Sequence, residues 1–129
     1  MMNKSIISTE NAPSAIGTYS QAVKAGNTVY ISGQIPLVPE TMEMVTESFE
    51  AQAERVFQNL NAIAEASGGT LADVVKVTIL LSDLKYFGTV NEVMSRYFAE
   101  PYPARAAYAV KQLPKEADIE VEAIMVIGE

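Results

Sequence analysis

The sequence predicts an α+β fold, a mixed sheet of about six strands with two helices packed on one face. Three observations support it. About the first forty residues read as short strands separated by turns, two later segments repeat apolar residues at helical spacing, and further β-branched runs surround the second of these. A chain of 129 residues is long enough for one domain with its own core and too short for two, so residues 1–129 are predicted to form a single domain.

The N-terminal part contains the predicted short strands. Residues 5–8 form the first, and the segment 11–13 ends it because its proline has no amide hydrogen to donate. Residues 20–24 and 28–32 flank the sequence Ala-Gly-Asn at 25–27. This turn sequence between two strand-like runs predicts a hairpin.

Two later segments carry apolar stripes of helical period. The first begins near Ser48 with acidic residues around its start, which favour a helix N-terminus, and ends at Gly68 and Gly69, a left-handed stop. The second covers residues 86–99 and ends before two prolines. The apolar positions of the first stripe are Phe49, Ala53, Val56, Phe57, Leu60, Ile63 and Ala64.

Three further strands are predicted at residues 74–81, 104–110 and 119–127. The run 74–81 is β-branched and nearly continuous in apolar character, which is typical of a strand covered on both faces. Two helices can cover only one face of a sheet. The other face then needs either another subunit or the two halves of a closed barrel, so an oligomer is expected.

The charge balance excludes several classes of partner. Nine Lys and Arg against sixteen Asp and Glu leave a net charge of −7 along the chain, which repels nucleic acid, and no basic cluster overrides this. No apolar run approaches the ~18 residues of a membrane span, and the N-terminus lacks the apolar stretch of a secretory signal. We expect a cytoplasmic protein that binds neither nucleic acid nor membrane.

The sequence contains neither histidine nor cysteine. Their absence removes the commonest general base, thiolate nucleophiles and the most frequent metal ligands. The phosphate-binding patterns GxGxxG and GxxxxGK[ST] are also missing. We therefore expect no metal and no cofactor. Any catalysis must rely on Arg, Lys, Tyr, carboxylates, hydroxyls, backbone groups and water.

Alternation along the last two strands indicates candidate site residues. In the last strand every odd position is apolar, so Glu120 and Glu122 share the other face, which becomes apolar further along. Such a face suits the rim of a pocket or a subunit seam. In the strand before it, Arg105 shares a face with Ala107 and Ala109, whose small side chains leave space beside the guanidinium. From spacing alone, solvated strand residues or an interface ion pair explain these charges better than a site does.

Four further residues are weaker candidates. Tyr19 lies in a predicted loop and is either a pocket wall or a core residue. Ser32 and Gly33 end an apolar strand, where glycine permits close approach of a ligand to backbone, although a bulge or turn is the favoured alternative. Asn91 lies away from the apolar stripe of the second helix, as a solvated helix residue does.

Four sequence blocks together indicate a family. The blocks AIGTYSQA at residues 15–22 and ISGQIP at residues 31–36 resemble the N-terminal motifs of the RidA/YjgF family. The blocks YPARAAYAVKQLP at residues 102–114 and IEVEAI at residues 119–124 are similar to its C-terminal signature. Their order and spacing also agree with the family, and the resemblance covers nearly the whole chain.

This resemblance implies a chorismate-mutase-like subunit in a homotrimer with clefts between subunits. It also implies a 2-iminobutanoate/2-iminopropanoate deaminase, which hydrolyses reactive 2-imino acids to 2-keto acids and ammonia without a cofactor. By position, Arg105 matches the arginine that holds the substrate carboxylate, and Glu120 matches the acid beside the hydrolytic water. The other matching pocket positions are Tyr19, Ser32, Gly33 and Asn91.

The chain departs from the family pattern at three places. Thr18 stands where proline is usual, which loosens the loop that carries Tyr19. Ala107 stands where cysteine is frequent, so any thiol-dependent role of relatives is lost here. The connection at residues 99–103 is shorter than in some relatives, which affects the expected substrate size.

The mechanism expected from these residues is undemanding, because an iminium carbon is already electrophilic. Arg105 orients the carboxylate through a two-pronged bond, and a partly desolvated Glu120 has a pKa raised towards neutrality. Spacing does not choose between Glu120 and Glu122. Two other functions stay open: a non-catalytic sensor of short 2-keto acids, and RNA cleavage, which the missing histidine and the net charge of −7 disfavour.

Overall fold

One mixed sheet of six strands runs through residues 4–128, the part of the chain that the computed structural model describes. The strands are β1 (Lys4–Ile7), β2 (Ala22–Ala25), β3 (Thr28–Gln34), β4 (Val74–Leu81), β5 (Ala104–Ala109) and β6 (Ile119–Val126). Their order is β1-β2-β3-β6-β4-β5, and β4 and β5 are parallel whereas the other neighbouring pairs are antiparallel. With two α-helices on one face, this arrangement confirms the predicted α+β fold.

The β2–β3 connection is the predicted hairpin. Ala25 pairs with Thr28, so the turn contains only two residues. Gly26 has a φ of 62°, a left-handed conformation that glycine adopts without a steric penalty. The turn residues therefore fix the register of the two strands.

Helix α1 (Phe49–Ala66) begins and ends where the sequence predicts. The Ser48 side chain caps its start by accepting a hydrogen bond from the Ala51 amide at 3.0 Å. Gly68, with a φ of 97°, terminates it. The apolar stripe faces the sheet and forms the core with the odd positions of β6. Within residues 4–128, neither this helix nor any other combines the length and apolar character that crossing a membrane demands.

Two buried amides on α1 fix segments that lead to the site described below. Gln52 accepts a hydrogen bond from the Asp118 amide at 3.0 Å, just before β6 begins. Asn59 donates to the Leu37 carbonyl at 3.0 Å, in the loop after β3. Buried amides that are hydrogen-bonded in this way hold irregular backbone in one conformation.

Helix α2 (Phe87–Met94) is shorter than the predicted helix over residues 86–99, so the predicted C-terminal boundary was wrong. The backbone tightens after Met94 through bonds to the third preceding residue, including one from the Arg96 amide at 2.9 Å. The Tyr97 hydroxyl then donates to Glu54 on α1 at 2.5 Å, and Arg96 pairs with the same carboxylate. These contacts with α1 end the regular helix.

The two faces of the sheet differ in cover. The helices bury Val77, Ile79 and Leu81 on β4. On the opposite face, Tyr30 and Tyr108 are about half exposed, at 52% and 49%. The sheet also has free edges at β1 and β5, so within the described residues it does not close into a barrel. The two helices therefore leave the second face of the sheet partly exposed.

Candidate functional site

A cavity of about 510 Å³ lies on the uncovered side of the sheet; we call it the Glu120 cavity. Tyr19, Ser32, Gly33 and Glu120, four of the predicted site residues, line it together. Its remaining lining is largely apolar, with Lys115 and Glu122 as the other charged groups. The apolar side chains are Pro13, Ile16, Ile35, Leu37 and Pro114.

A β-bulge shapes this cavity. The register between β3 and β6 shifts between Ile31 and Gln34, so Ser32 and Gly33 together occupy the space of one residue. A Cβ atom on Gly33 would lie 2.1 Å from Oε2 of Glu120. Glycine is therefore required for the carboxylate to lie against the backbone. The expected bulge is present, and the side chain of Glu120 lies close to the backbone of Gly33.

The cavity also changes the acidity of Glu120. Burial raises the pKa of the Glu120 carboxyl above its ordinary value of 4.5, and the neighbouring charge of Glu122 raises it further. Glu120 is half-buried whereas Glu122 is exposed. The two acids, which alternation along the strand could not distinguish, therefore differ in burial.

The loop that carries Tyr19 is held to β3 by hydrogen bonds. The Ser32 hydroxyl donates to the Ser20 carbonyl at 2.6 Å, and the Ser32 amide donates to the Gln21 carbonyl at 2.9 Å. The buried Gln21 side chain binds the backbone of Thr9, Ala12 and Pro13. Sequence reasoning missed this role of Gln21, because a lone glutamine gives no periodic signal. The Tyr19 side chain itself stays half exposed.

Arg105 lies in a second cavity of about 530 Å³, the Arg105 cavity. Its Nη1 donates to Oδ1 of Asn91 at 2.5 Å and lies 3.8 Å from Sδ of Met94. Its Cζ lies 5.0 Å from the ring centroid of Phe87. Asn91 is therefore a contact of Arg105 and not merely a solvated helix residue. Phe87 and Met94, on the same helix, complete the surroundings of the guanidinium.

The two cavities lie on opposite sides of the sheet. Arg105 pairs in register with Val77, whose side chain is buried under the helices, so the guanidinium points to the helix side. Glu120 pairs with Leu80, on the uncovered side. One chain thus brings Arg105 together with Asn91, and Glu120 together with the Tyr19 loop and Gly33. It does not bring Arg105 and Glu120 together.

Comparison with known proteins gives one family throughout. Residues 9–127 match the family model described as Endoribonuclease L-PSP. The 2-iminobutanoate/2-iminopropanoate deaminase of Dermatophagoides farinae is 49% identical over 127 residues, 98% of this chain and 99% of that protein. The chloroplastic Reactive Intermediate Deaminase A of Arabidopsis thaliana is 50% identical over 123 residues, 95% of this chain and 66% of that protein.

Solved structures agree with the sequence matches. The crystal structure of RidA from an Antarctic Psychrobacter superposes with a TM-score of 0.92 at 57% identity, covering 95% of this chain and 99% of that one. Escherichia coli TdcF, crystallised with bound serine, superposes with a TM-score of 0.91 at 41% identity, covering 96% and 99%. The chain therefore belongs to the RidA/YjgF family, the L-PSP proteins, as its four sequence blocks predict.

Proposed function

We propose that this protein hydrolyses 2-imino acids, such as 2-iminobutanoate and 2-iminopropanoate, to 2-keto acids and ammonia without a cofactor. The observation that carries the proposal is the carboxyl of Glu120, held against Gly33 in a largely apolar cavity with its pKa raised by burial. A carboxylate with a raised pKa is a stronger base, and hydrolysis of an iminium ion requires a base that accepts a proton from the attacking water. The relatives that carry a deaminase name support the same chemistry.

Arg105 is the proposed ligand of the substrate carboxylate. A guanidinium can hold a carboxylate through two parallel charge-assisted hydrogen bonds, which fixes the orientation as well as the position of the substrate. Within residues 4–128, no acidic side chain forms an ion pair with Arg105. The bound serine of TdcF, which also carries a carboxylate, is consistent with a site for small carboxylates in this family.

Glu120 is the proposed proton acceptor. A water molecule adds to the electrophilic C=N carbon, forming a C–O bond while the electron pair of the π bond moves to nitrogen. Glu120 accepts a proton from this water and returns it to the nitrogen. The C–N bond then breaks with its electron pair leaving on ammonia, the C=O double bond forms, and the hydroxyl proton passes to Glu120 and then to the ammonia, which gives the keto acid. Tyr19, Ser32 and Gly33 complete the wall of the pocket on this side.

The proposal requires a second copy of the chain. Because Arg105 and Glu120 lie on opposite sides of one sheet, a complete site forms only where the Arg105 cavity of one copy meets the Glu120 cavity of another. A homotrimer with three such clefts satisfies this requirement and also covers the exposed face of the sheet. Light scattering is expected to give three times the chain mass. A stable monomer at micromolar concentration is incompatible with the proposed site.

The function itself is tested by timing keto-acid release. Freshly generated 2-iminobutanoate is mixed with the protein, and formation of 2-ketobutyrate is compared with spontaneous hydrolysis in the same buffer. We expect release to accelerate in proportion to protein concentration and to stay at the spontaneous rate with Arg105→Ala. A correctly assembled wild-type protein that leaves the rate unchanged overturns the proposal.

A sensor of short 2-keto acids is the second candidate, and the bound serine of TdcF favours it because that ligand is not an imine. Calorimetric titration with 2-ketobutyrate detects binding under both functions, so only the turnover measurement separates them. The description of the family model names a third function, RNA cleavage. This chain has no histidine to act as acid or base for it, and its net charge of −7 repels RNA. Arg105-dependent cutting of RNA by nuclease-free protein would restore it.

For location we propose the cytoplasm, since nothing in the composition requires an oxidising compartment: the sequence contains no cysteine. The Arabidopsis relative is named chloroplastic, so an organelle is the alternative location. Fractionation of the source cells, with the protein followed by antibody, is the direct test. Recovery in an organelle fraction contradicts this part of the proposal.

A further inference from the structure

The guanidinium of Arg105 is already engaged on one side. Its Nη1 carries two hydrogens; Oδ1 of Asn91 accepts at 2.5 Å, and Sδ of Met94 lies within hydrogen-bond range at 3.8 Å. Within residues 4–128, no acceptor contacts Nε or Nη2. The edge of the guanidinium formed by Nε and Nη2 therefore keeps its N–H groups for a ligand.

The groups that hold the guanidinium are all neutral. Asn91 offers an amide oxygen, Met94 a thioether, and Phe87 the face of a ring 5.0 Å from Cζ. Such partners fix the plane of the guanidinium without cancelling its charge. An aspartate at position 91 would hold it equally well but would neutralise it.

We infer that Asn91 and Phe87 are positioning residues for Arg105, and that a substrate carboxylate binds along its Nε/Nη2 edge. Nε–H and Nη2–H are parallel and match the two oxygens of a carboxylate, whereas the end formed by Nη1 and Nη2 is half occupied by Asn91. The inference rests on the proposed function, because it concerns the carboxylate of the same substrate. It changes the role implied for Asn91 from substrate contact to support of Arg105.

The first test measures binding and not turnover. Calorimetric titration with 2-ketobutyrate is compared for wild type, Asn91→Asp and Asn91→Leu, with Asn61→Asp as the control because it adds the same charge on α1, where Asn61 contacts Glu65. We expect Asn91→Asp to weaken binding about tenfold or more, since a carboxylate beside the guanidinium competes with the ligand. Asn91→Leu is expected to weaken it about three- to tenfold, and Asn61→Asp by no more than about twofold. Equal affinities of Asn91→Asp and Asn61→Asp overturn the inference.

The second test examines the ring. Phe87→Leu removes the aromatic face and keeps an apolar side chain, whereas Phe87→Tyr keeps the face. In the imine assay, we expect Phe87→Leu to raise KM severalfold with kcat nearly unchanged, and Phe87→Tyr to restore KM. A merely structural role of the ring predicts equal effects on both constants, or an assembly defect visible by light scattering, and either result contradicts a positioning role.

A crystal structure with 2-ketobutyrate tests the edge directly. The carboxylate oxygens are expected within hydrogen-bond distance of Nε and Nη2. A carboxylate bound to Nη1, with Asn91 displaced, overturns the inference. Wild-type protein that binds no keto acid also overturns it. Wild type that binds 2-ketobutyrate at this edge but fails to accelerate imine hydrolysis overturns the proposed function and leaves the inference intact. Wild type that accelerates imine hydrolysis, together with an Asn91→Asp variant that binds 2-ketobutyrate as well as wild type, overturns the inference and leaves the proposed function intact.

Discussion

The Arg105 cavity and the Glu120 cavity position their charged groups by different means. Arg105 is held by side chains of one helix, through the amide oxygen of Asn91 and the ring of Phe87. Glu120 is accommodated by the shape of the backbone, because a bulge places Gly33 where an added Cβ would meet the carboxylate. The orientation of Arg105 therefore depends on contacts with side chains, which a substitution can partly preserve. The position of Glu120 depends on the absence of a side chain at Gly33.

The two cavities also differ in electrostatics. The guanidinium is a cation, and its contacts with Asn91, Met94 and Phe87 are all to neutral groups. The carboxyl of Glu120 has a raised pKa because burial disfavours its charged form. The first cavity is therefore suited to binding an anion and the second to transferring a proton. Mutations in the two cavities should accordingly change different kinetic constants.

The largest expected effect is that of Glu120→Gln. Removing a positioned proton acceptor costs about 10²–10⁴ in kcat, while binding of 2-ketobutyrate is expected to persist because Arg105 is untouched. Glu122→Gln is the matched control, since Glu122 lies on the same face of β6 but is exposed. Single-turnover rates and calorimetric affinities measure the two constants. Equal, small effects of both variants mean that neither carboxylate acts as a base.

Arg105→Ala is expected to act on binding. Leaving the substrate carboxylate unpaired in a partly desolvated cleft costs roughly 2–5 kcal/mol, or about 30- to several thousand-fold in kcat/KM. Arg105→Lys recovers little, because an ammonium group cannot reproduce two parallel hydrogen bonds. Affinity for 2-ketobutyrate should fall in parallel, with assembly intact by light scattering. A lysine variant as active as wild type indicates that another group binds the carboxylate.

Mixing these two inactive variants tests whether the cavities belong to one site. Suppose that each cleft takes Arg105 from one copy and Glu120 from another. In an equal mixture of the Arg105→Ala and Glu120→Gln variants, random subunit exchange then gives about a quarter of the clefts both intact residues. The measurement is imine turnover after mild dissociation and reassembly of the mixture. Each variant taken alone through the same treatment is the control. No recovery despite demonstrated subunit exchange contradicts a shared site.

Gly33→Ala addresses the backbone that shapes the Glu120 cavity. An added Cβ would lie 2.1 Å from Oε2 of Glu120, so the carboxylate must move. A displacement near 1 Å can cost up to about 10² in rate, less than complete loss of the acceptor. Gly88→Ala is the control, since nothing lies within 4 Å of its added Cβ. A fully active Gly33→Ala variant shows that the position of this carboxylate is not critical.

Sequence alone predicts the elements whose two faces differ in polarity. The odd positions of β6 are apolar, and the even ones begin with Glu120 and Glu122, so the faces were assigned correctly. The stripe of α1 and the turn at Gly26 are equally clear. In each of these elements a local pattern states which side is buried or which backbone conformation is needed.

The placement of Arg105 and Glu120 on opposite sides of the sheet could not be predicted in the same way. Strand β5 reads ARAAYA, and because alanines occupy both faces, no contrast shows which face the helices cover. The early end of α2 was hidden for a related reason. Tyr97 and Phe98 continue the apolar period of the helix, while contacts from Arg96 and Tyr97 to Glu54 draw the chain out of it. Both facts depend on partners distant in sequence.

The smallest expected effect concerns the pH dependence of kcat. Under the proposed mechanism Glu120 must be ionised to accept a proton, so kcat should fall as pH is lowered through its pKa in the enzyme–substrate complex. Since burial raises the pKa of Glu120, this acid limb should lie above the ordinary glutamate value of 4.5. Glu122 contributes to the same rise through its negative charge. Glu122→Gln should therefore move the limb to lower pH, whereas Glu65→Gln, on the exposed side of α1, should leave it in place. A limb that stays fixed in Glu122→Gln, or that persists in Glu120→Gln, means that another group sets the acid limit, and the carboxyl at the bulge then shapes the cavity without transferring the proton.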